Sequence, residues 1–97
     1  KLPIESKNRI HSYHLFVIQT KQRNKLRDYL KKNGVETDIH YPIPIHQQDI
    51  YKTKKKITLK NTEKQAKEIL SLPIHEFLSR REILFICNKI KKFFNEN

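Results

Sequence analysis

Ser12-Tyr13-His14-Leu15-Phe16-Val17-Ile18-Gln19-Thr20 is the stretch on which the fold turns. It is dense in aromatic and β-branched residues, the types that fit a pleated surface. Tyr13, Leu15 and Val17 point one way and His14, Phe16 and Ile18 the other, so both faces are largely apolar. A strand near 12–20 with cover on each side is expected. Immediately after it the period changes. Leu26, Tyr29 and Leu30 recur at helical spacing between Thr20, a candidate N-cap, and Gly34, a candidate stop, which predicts a helix near 21–33. Lys31 and Lys32 fall in its last turn, where cations suit the helix dipole.

Alternation then returns. Val35, Thr37, Ile39 and Tyr41 share one face and Glu36, Asp38 and His40 the other, which predicts a second strand near 35–41. Pro42 and Pro44 cannot donate a backbone hydrogen bond, so the chain leaves the sheet there or runs along its edge. Tyr41 and Ile43 each precede a proline and are pushed towards extended geometry. The product is a stiff arm displaying Tyr41, Ile43, Ile45 and His46. Farther on, Thr62-Glu63-Lys64-Gln65 has capping-box spacing ahead of Ala66, Ile69 and Leu70, and Pro73 closes the segment, giving a helix near 62–71. Ser79-Arg80-Arg81-Glu82 is a second capping box. It opens a helix near 79–95 whose Ile83, Ile86, Cys87, Ile90, Phe93 and Phe94 form one apolar stripe. Strand, helix, strand, arm, helix and helix make a small α/β (α+β) domain with a short sheet, and residues 1–97 read as that single domain.

Composition narrows the class. At 97 residues and 36% hydrophobic the chain can build one modest core. No run approaches the roughly 18 apolar residues of a membrane span, and Lys1-Leu2-Pro3-Ile4-Glu5 has no apolar core like that of a secretory signal. Cys87 is the single cysteine, so no disulfide framework exists, and a cytoplasmic protein without membrane association is expected. The net charge of +11 attracts polyanions, but the excess is mostly lysine, which acts as a hydrated point charge rather than a bidentate phosphate fork.

Chemistry concentrates in His40-Tyr41-Pro42-Ile43-Pro44-Ile45-His46-Gln47-Gln48. Two imidazoles, a phenol and two amides on a proline-stiffened loop suit a polar, phosphorylated ligand, because imidazole donates to phosphate and rigidity lowers the ordering cost. The same pattern also fits an edge strand ending in a loop whose histidines face water. An offset of six from His40 to His46 is no zinc spacing, and alternation puts His11 and His14 on opposite faces, so no metal site is expected. Cys87 reads as a core residue rather than a nucleophile. Gly34 is the only glycine, which excludes a glycine-rich phosphate loop, and no serine sits in a nucleophile elbow.

Three segments together resemble the DegT/DnrJ-type sugar aminotransferases, within the fold-type-I class of pyridoxal-phosphate enzymes. They are His11-Ser12-Tyr13-His14-Leu15-Phe16-Val17-Ile18, then Gly34 through Gln47, then Thr62-Glu63 through Ala66-Lys67-Glu68-Ile69-Leu70-Ser71-Leu72-Pro73. They stand in family order across nearly the whole chain.

The resemblance implies the C-terminal small domain of an enzyme that moves an amino group from glutamate to a keto sugar nucleotide. It implies a homodimer with active sites between subunits, and a cofactor lysine in a large domain outside this sequence. No catalytic or cofactor-binding residue is therefore expected in this chain. By motif position, His40, Tyr41 and His46 become the candidate substrate contacts. The His-Tyr-Pro-Ile-Pro-x-His form is most similar to members that aminate a 3-keto sugar, in amino-sugar, cell-surface polysaccharide or lipopolysaccharide biosynthesis. Tyr51–Lys60 departs from the family in being short and lysine-rich. The alternative reading is a small basic nucleic-acid-binding module that uses Lys52 to Lys60 on phosphates and Tyr41 or Tyr51 for stacking. Against it, aromatic and basic residues do not interleave on one strand face.

Overall fold

The computed structural model describes residues 1–51 and 56–96. The elements run β1 (Phe16–Gln19), α1 (Arg23–Lys32), 3₁₀ turns at Ile45–Gln47 and Asp49–Tyr51, α2 (Lys60–Glu68), β2 (Ile69–Leu72) and α3 (Arg80–Glu96). β1 and β2 form an antiparallel pair in which Phe16 faces Leu72, Val17 faces Ser71, Ile18 faces Leu70 and Gln19 faces Ile69. The small α+β domain expected from the residue pattern is present. No helix among the described residues is long and apolar enough to cross a membrane.

Several expectations are corrected, first among the elements: the strand expected near 12–20 covers only Phe16–Gln19. The strand expected near 35–41 is reduced to one bridge, in which Asp38 exchanges both backbone bonds with Ser71, at 3.1 and 2.7 Å. Its alternating pattern spans a segment pulled two ways. Val35 is drawn into the core beside the end of α1, while Pro42 and Pro44 stop the ladder from extending. The helix expected near 62–71 starts at Lys60 and ends at Glu68, where Ile69 turns extended at φ −75° and ψ 144°. Ile69, Leu70 and Leu72 pair instead with Gln19, Ile18 and Phe16 of β1, and Leu70 is fully buried there. The Thr62–Gln65 box does not form, and Leu59 is the N-cap instead.

Other local signals hold. Gly34 sits at φ +76°, the left-handed geometry that disfavours any residue with a Cβ. Its N–H donates to the Lys31 carbonyl at 3.0 Å, and the Val35 N–H donates to the Leu30 carbonyl at 2.9 Å, so α1 ends in a Schellman motif. At the other end, Thr20 does not cap the helix. Gln22 occupies that position, and the Thr20 hydroxyl accepts from its N–H at 3.2 Å.

At the start of α3 the Ser79 N–H and hydroxyl both donate to Glu82 Oε2, at 2.8 and 2.7 Å, and the Glu82 N–H donates back to Ser79 Oγ at 3.2 Å. Ser79→Ala should therefore cost about 0.5–2 kcal/mol near neutral pH. The same bonds from Ser79 hold the Glu82 carboxyl below its ordinary value. A depressed folded-state pKa means stabilisation that is present above the unfolded pKa and is lost as pH falls through the folded one. Urea midpoints of wild type and Ser79→Ala should thus converge in acid; a gap independent of pH would contradict this.

The core gathers Ile18, Leu26, Leu30, Val35, Leu70, Ile86 and Phe93, with Phe16, Tyr29, Ile39, Leu72 and Ile90 packed around it. α1 meets α3 through Tyr29 and Phe93, whose ring centroids are 5.4 Å apart. Only the Ile86, Ile90 and Phe93 line of the α3 stripe faces inward. Ile83 and Phe94 are exposed, and so is Cys87, which was expected in the core. Cys87 stands about 100° round the helix from Ile86. It borders an apolar cavity of about 230 Å³ shared with Phe16, Leu72 and Ile86. The cover expected on both faces of β1 is uneven: Ile18 is buried in the core, whereas Leu15 and Val17 are half-buried.

Candidate functional site

The arm leaves the sheet at Asp38. Ile39 is packed against the core and His40 follows at the sheet edge. His40 Nδ1 lies 2.8 Å from Ser71 Oγ, and its Nε2 lies 3.5 Å from Asp38 Oδ2. The His40–Tyr41 peptide bond is cis. Tyr41 meets the His40 ring edge-on at 5.5 Å between centroids and is 73% exposed. Pro44 then opens a 3₁₀ turn, closed by the Gln47 N–H donating to the Pro44 carbonyl at 2.9 Å.

His46 sits in that turn, yet its side chain is only 8% exposed, because its Nε2 lies 2.9 Å from Glu63 Oε1 in the first turn of α2. Glu63 Oε1 also accepts the Leu59 N–H at 3.0 Å. The His46 hydrogen bond first, and the Leu59 N–H second, hold the Glu63 carboxyl below its ordinary value.

The three expected contact residues thus have different surroundings. His40 is a quarter exposed and lines a cavity of about 290 Å³ with His14, Thr37, Asp38 and Ser71. Tyr41 projects to solvent with its phenol accessible. His46 turns inward, away from the water-facing position that the plain edge-strand reading gave it. Thr37 Oγ1 is buried with no hydrogen-bond partner among the described atoms, so the wall beside His40 keeps an unused hydroxyl.

Ser71 and Glu63 were not singled out from the sequence. Ser71 is the one polar residue of β2 and is 5% exposed. Ser71, His40 and Asp38 superficially resemble a hydrolytic triad. The serine, however, is 5% exposed in a strand where its own N–H is spent on the Asp38 carbonyl and is not free to stabilise an oxyanion. Its hydroxyl instead fixes the His40 ring. No three His, Cys, Asp or Glu side chains among the described residues are placed to hold a metal ion. Lys52, Lys54 and Lys55, central to the nucleic-acid reading, lie outside the described residues.

Residues 1–91 match the DegT/DnrJ/EryC1/StrS aminotransferase family. The chain is 33% identical over 92 residues to the dTDP-3-amino-3,6-dideoxy-alpha-D-galactopyranose transaminase of Aneurinibacillus thermoaerophilus, covering 95% of this chain and 25% of the relative. It is 33% identical over 85 residues to the UDP-2-acetamido-2-deoxy-3-oxo-D-glucuronate aminotransferase of Pseudomonas aeruginosa, covering 88% of this chain and 23% of that enzyme. Among solved structures, DesV of S. venezuelae in complex with a ketimine intermediate superposes with a TM-score of 0.88 at 31% identity, over 95% of this chain and 25% of that one. The chain spans about a quarter of the length of these relatives.

Proposed function

We propose, from the premise that this chain belongs to the DegT/DnrJ/EryC1/StrS aminotransferase family, that it forms the C-terminal small domain of an enzyme aminating a keto sugar nucleotide. The amino donor is glutamate and the acceptor a 3-keto-deoxysugar on a nucleoside diphosphate. The product feeds amino-sugar, cell-surface polysaccharide or lipopolysaccharide synthesis, and the enzyme works as a cytoplasmic homodimer. What carries the reading is the family match along nearly the whole chain, together with relatives named for a 3-amino or 3-oxo sugar nucleotide.

In this reading the arm recognises the nucleotide sugar. Tyr41 offers an exposed phenol for hydrogen bonding or stacking. His40, its ring fixed by Ser71, presents a polar edge to the cavity it shares with Thr37 and Asp38. His46, with Nε2 held by Glu63, would donate to a diphosphate oxygen from Nδ1 in its protonated form. The net charge of +11 supplies a general attraction for such a dianion.

Pyridoxal phosphate, the cofactor such an enzyme uses, supplies an electron sink at the carbon that exchanges its amino group. Holding it requires a lysine amine in a dry pocket and donors for its phosphate. None of the described lysines is buried. The described residues therefore do not fit the cofactor, and we assign its lysine to the portion of the enzyme beyond this chain. It follows that the purified 97-residue chain should transfer no amino group from glutamate and show no bound-cofactor absorbance. Amino transfer by this chain alone would overturn the assignment.

The function itself is tested with the full-length enzyme in reverse, because 3-keto sugar nucleotides decompose readily. A 3-amino sugar nucleotide with 2-oxoglutarate should yield glutamate. Failure with both dTDP- and UDP-linked 3-amino sugars, alongside tight oligonucleotide binding that weakens steeply with salt, would favour the nucleic-acid module instead.

A further inference from the structure

We propose that Glu63 is a positioning residue for His46, holding its imidazole against the first turn of α2 so that the arm meets a nucleotide sugar in one fixed orientation. The inference rests on the assignment of His46 to substrate recognition and adds the residue that makes that assignment workable.

His46 stands on a three-residue turn between exposed neighbours, Ile45 and Gln47, and such a turn has little means of ordering a side chain. Its one described hydrogen bond is to Glu63 Oε1, at 2.9 Å. That oxygen is itself anchored by the Leu59 N–H at 3.0 Å, so three separate points of the chain, at 46, 59 and 63, meet on one atom. Glu63 lies in the first turn of α2, where free N–H groups and the helix dipole favour a carboxylate. The same two bonds, that of His46 first, hold the carboxyl below its ordinary value and so favour its ionised form.

An ionised carboxylate only accepts hydrogen bonds. His46 Nε2 must therefore carry a hydrogen, and Nδ1 becomes the nitrogen left for a ligand. In the neutral ring Nδ1 is an acceptor; in the protonated ring it is a donor suited to an anion, with the Glu63 charge balancing the imidazolium. Glu63 thus sets both where the ring lies and which nitrogen is offered, without touching substrate.

The full-length enzyme carrying Glu63→Ala, Glu63→Gln, His46→Ala, or the Glu63→Ala and His46→Ala pair tests this. Glu63→Ala should lower kcat/KM for the nucleotide sugar about tenfold, mainly through KM, and leave the glutamate half-reaction within about twofold. Glu63→Gln keeps an acceptor oxygen for both the His46 and the Leu59 hydrogens and should restore most of the loss. The paired variant should be no worse than His46→Ala alone, since the two residues act as one unit. Losses that multiply in the pair, Gln no better than Ala, or an unchanged sugar reaction in Glu63→Ala would each overturn the proposal.

Nitrogen-15 spectra of labelled histidine give a readout independent of activity. Nε2 of His46 should be protonated in wild type and Glu63→Gln and should average between tautomers in Glu63→Ala. Mixed tautomers in wild type would sink the positioning role even in an active aminotransferase. A fixed tautomer in a protein that aminates no sugar nucleotide would sink the functional reading and leave the Glu63–His46 link standing.

Discussion

Replacing Leu30 with alanine is expected to lower the free energy of unfolding by about 2–5 kcal/mol. Leu30 is fully buried and does two jobs at once. Its side chain lies in the cluster of Ile18, Leu26, Leu70, Ile86 and Phe93, and its carbonyl accepts the Val35 N–H that closes the Schellman motif. The backbone bond survives the substitution, so the loss comes from the side chain: the transfer energy of the missing carbons plus a cavity between β1, α1 and α3. Val35 belongs to the same cluster, so the turn after Gly34 should loosen too. Natural domains are stable by only about 5–15 kcal/mol, so this change removes a large share. Ile83→Ala, on the exposed part of the α3 stripe, is the control and should change stability by no more than about 0.5 kcal/mol. Urea unfolding of both variants decides it. A loss below about 0.5 kcal/mol at Leu30 would mean that the α1–α3 contact is not the core.

That contrast marks how far the sequence could be read. Local signals were legible because their causes are local. Gly34 ended α1, and Ser79 with Glu82 opened α3, through bonds spanning only a few residues. The periodicity of α3 was equally plain, but periodicity says that a stripe exists, not how much of it finds a partner. Ile86 and Phe93 found one and Cys87 did not. β2 was hidden for a different reason. Ala66, Ile69 and Leu70 fit helical spacing well, and only pairing with Phe16 and Ile18, far away in the chain, turns Ile69–Leu72 into a strand. The site divides in the same way. The residue types of the arm, His40 to His46, suggested polar recognition by themselves, beside the plainer reading of an edge strand with water-facing histidines. Their partners did not, because Ser71 is 31 residues from His40 and Glu63 is 17 from His46. A near miss was available at Glu63, which lies four residues beyond Leu59 and reaches back to that N-cap as a capping acid would.

His46→Ala in the full-length enzyme carries the second large expected effect, and it falls on one half of the reaction. Proposed transfer from glutamate to 2-oxoglutarate needs the cofactor and its lysine but not the nucleotide-sugar pocket. In the proposed reading, amination of the sugar needs the arm. If His46 donates to a charged phosphate oxygen, its removal should cost about 1.5–3 kcal/mol, or roughly ten- to hundred-fold in kcat/KM for the nucleotide sugar. The fold should survive. His46 is enclosed by Glu63 and not by the core cluster, and after its removal Glu63 Oε1 still has the Leu59 N–H. Pro42 and Pro44 go on restricting the arm without it. Single-turnover measurements followed by cofactor absorbance separate the two halves. Slowing confined to the sugar half assigns His46 to substrate. Equal slowing of both halves would instead make the imidazole a prop for the arm or for the cofactor, and with no preferential loss in the sugar half the assignment of His46 would fall.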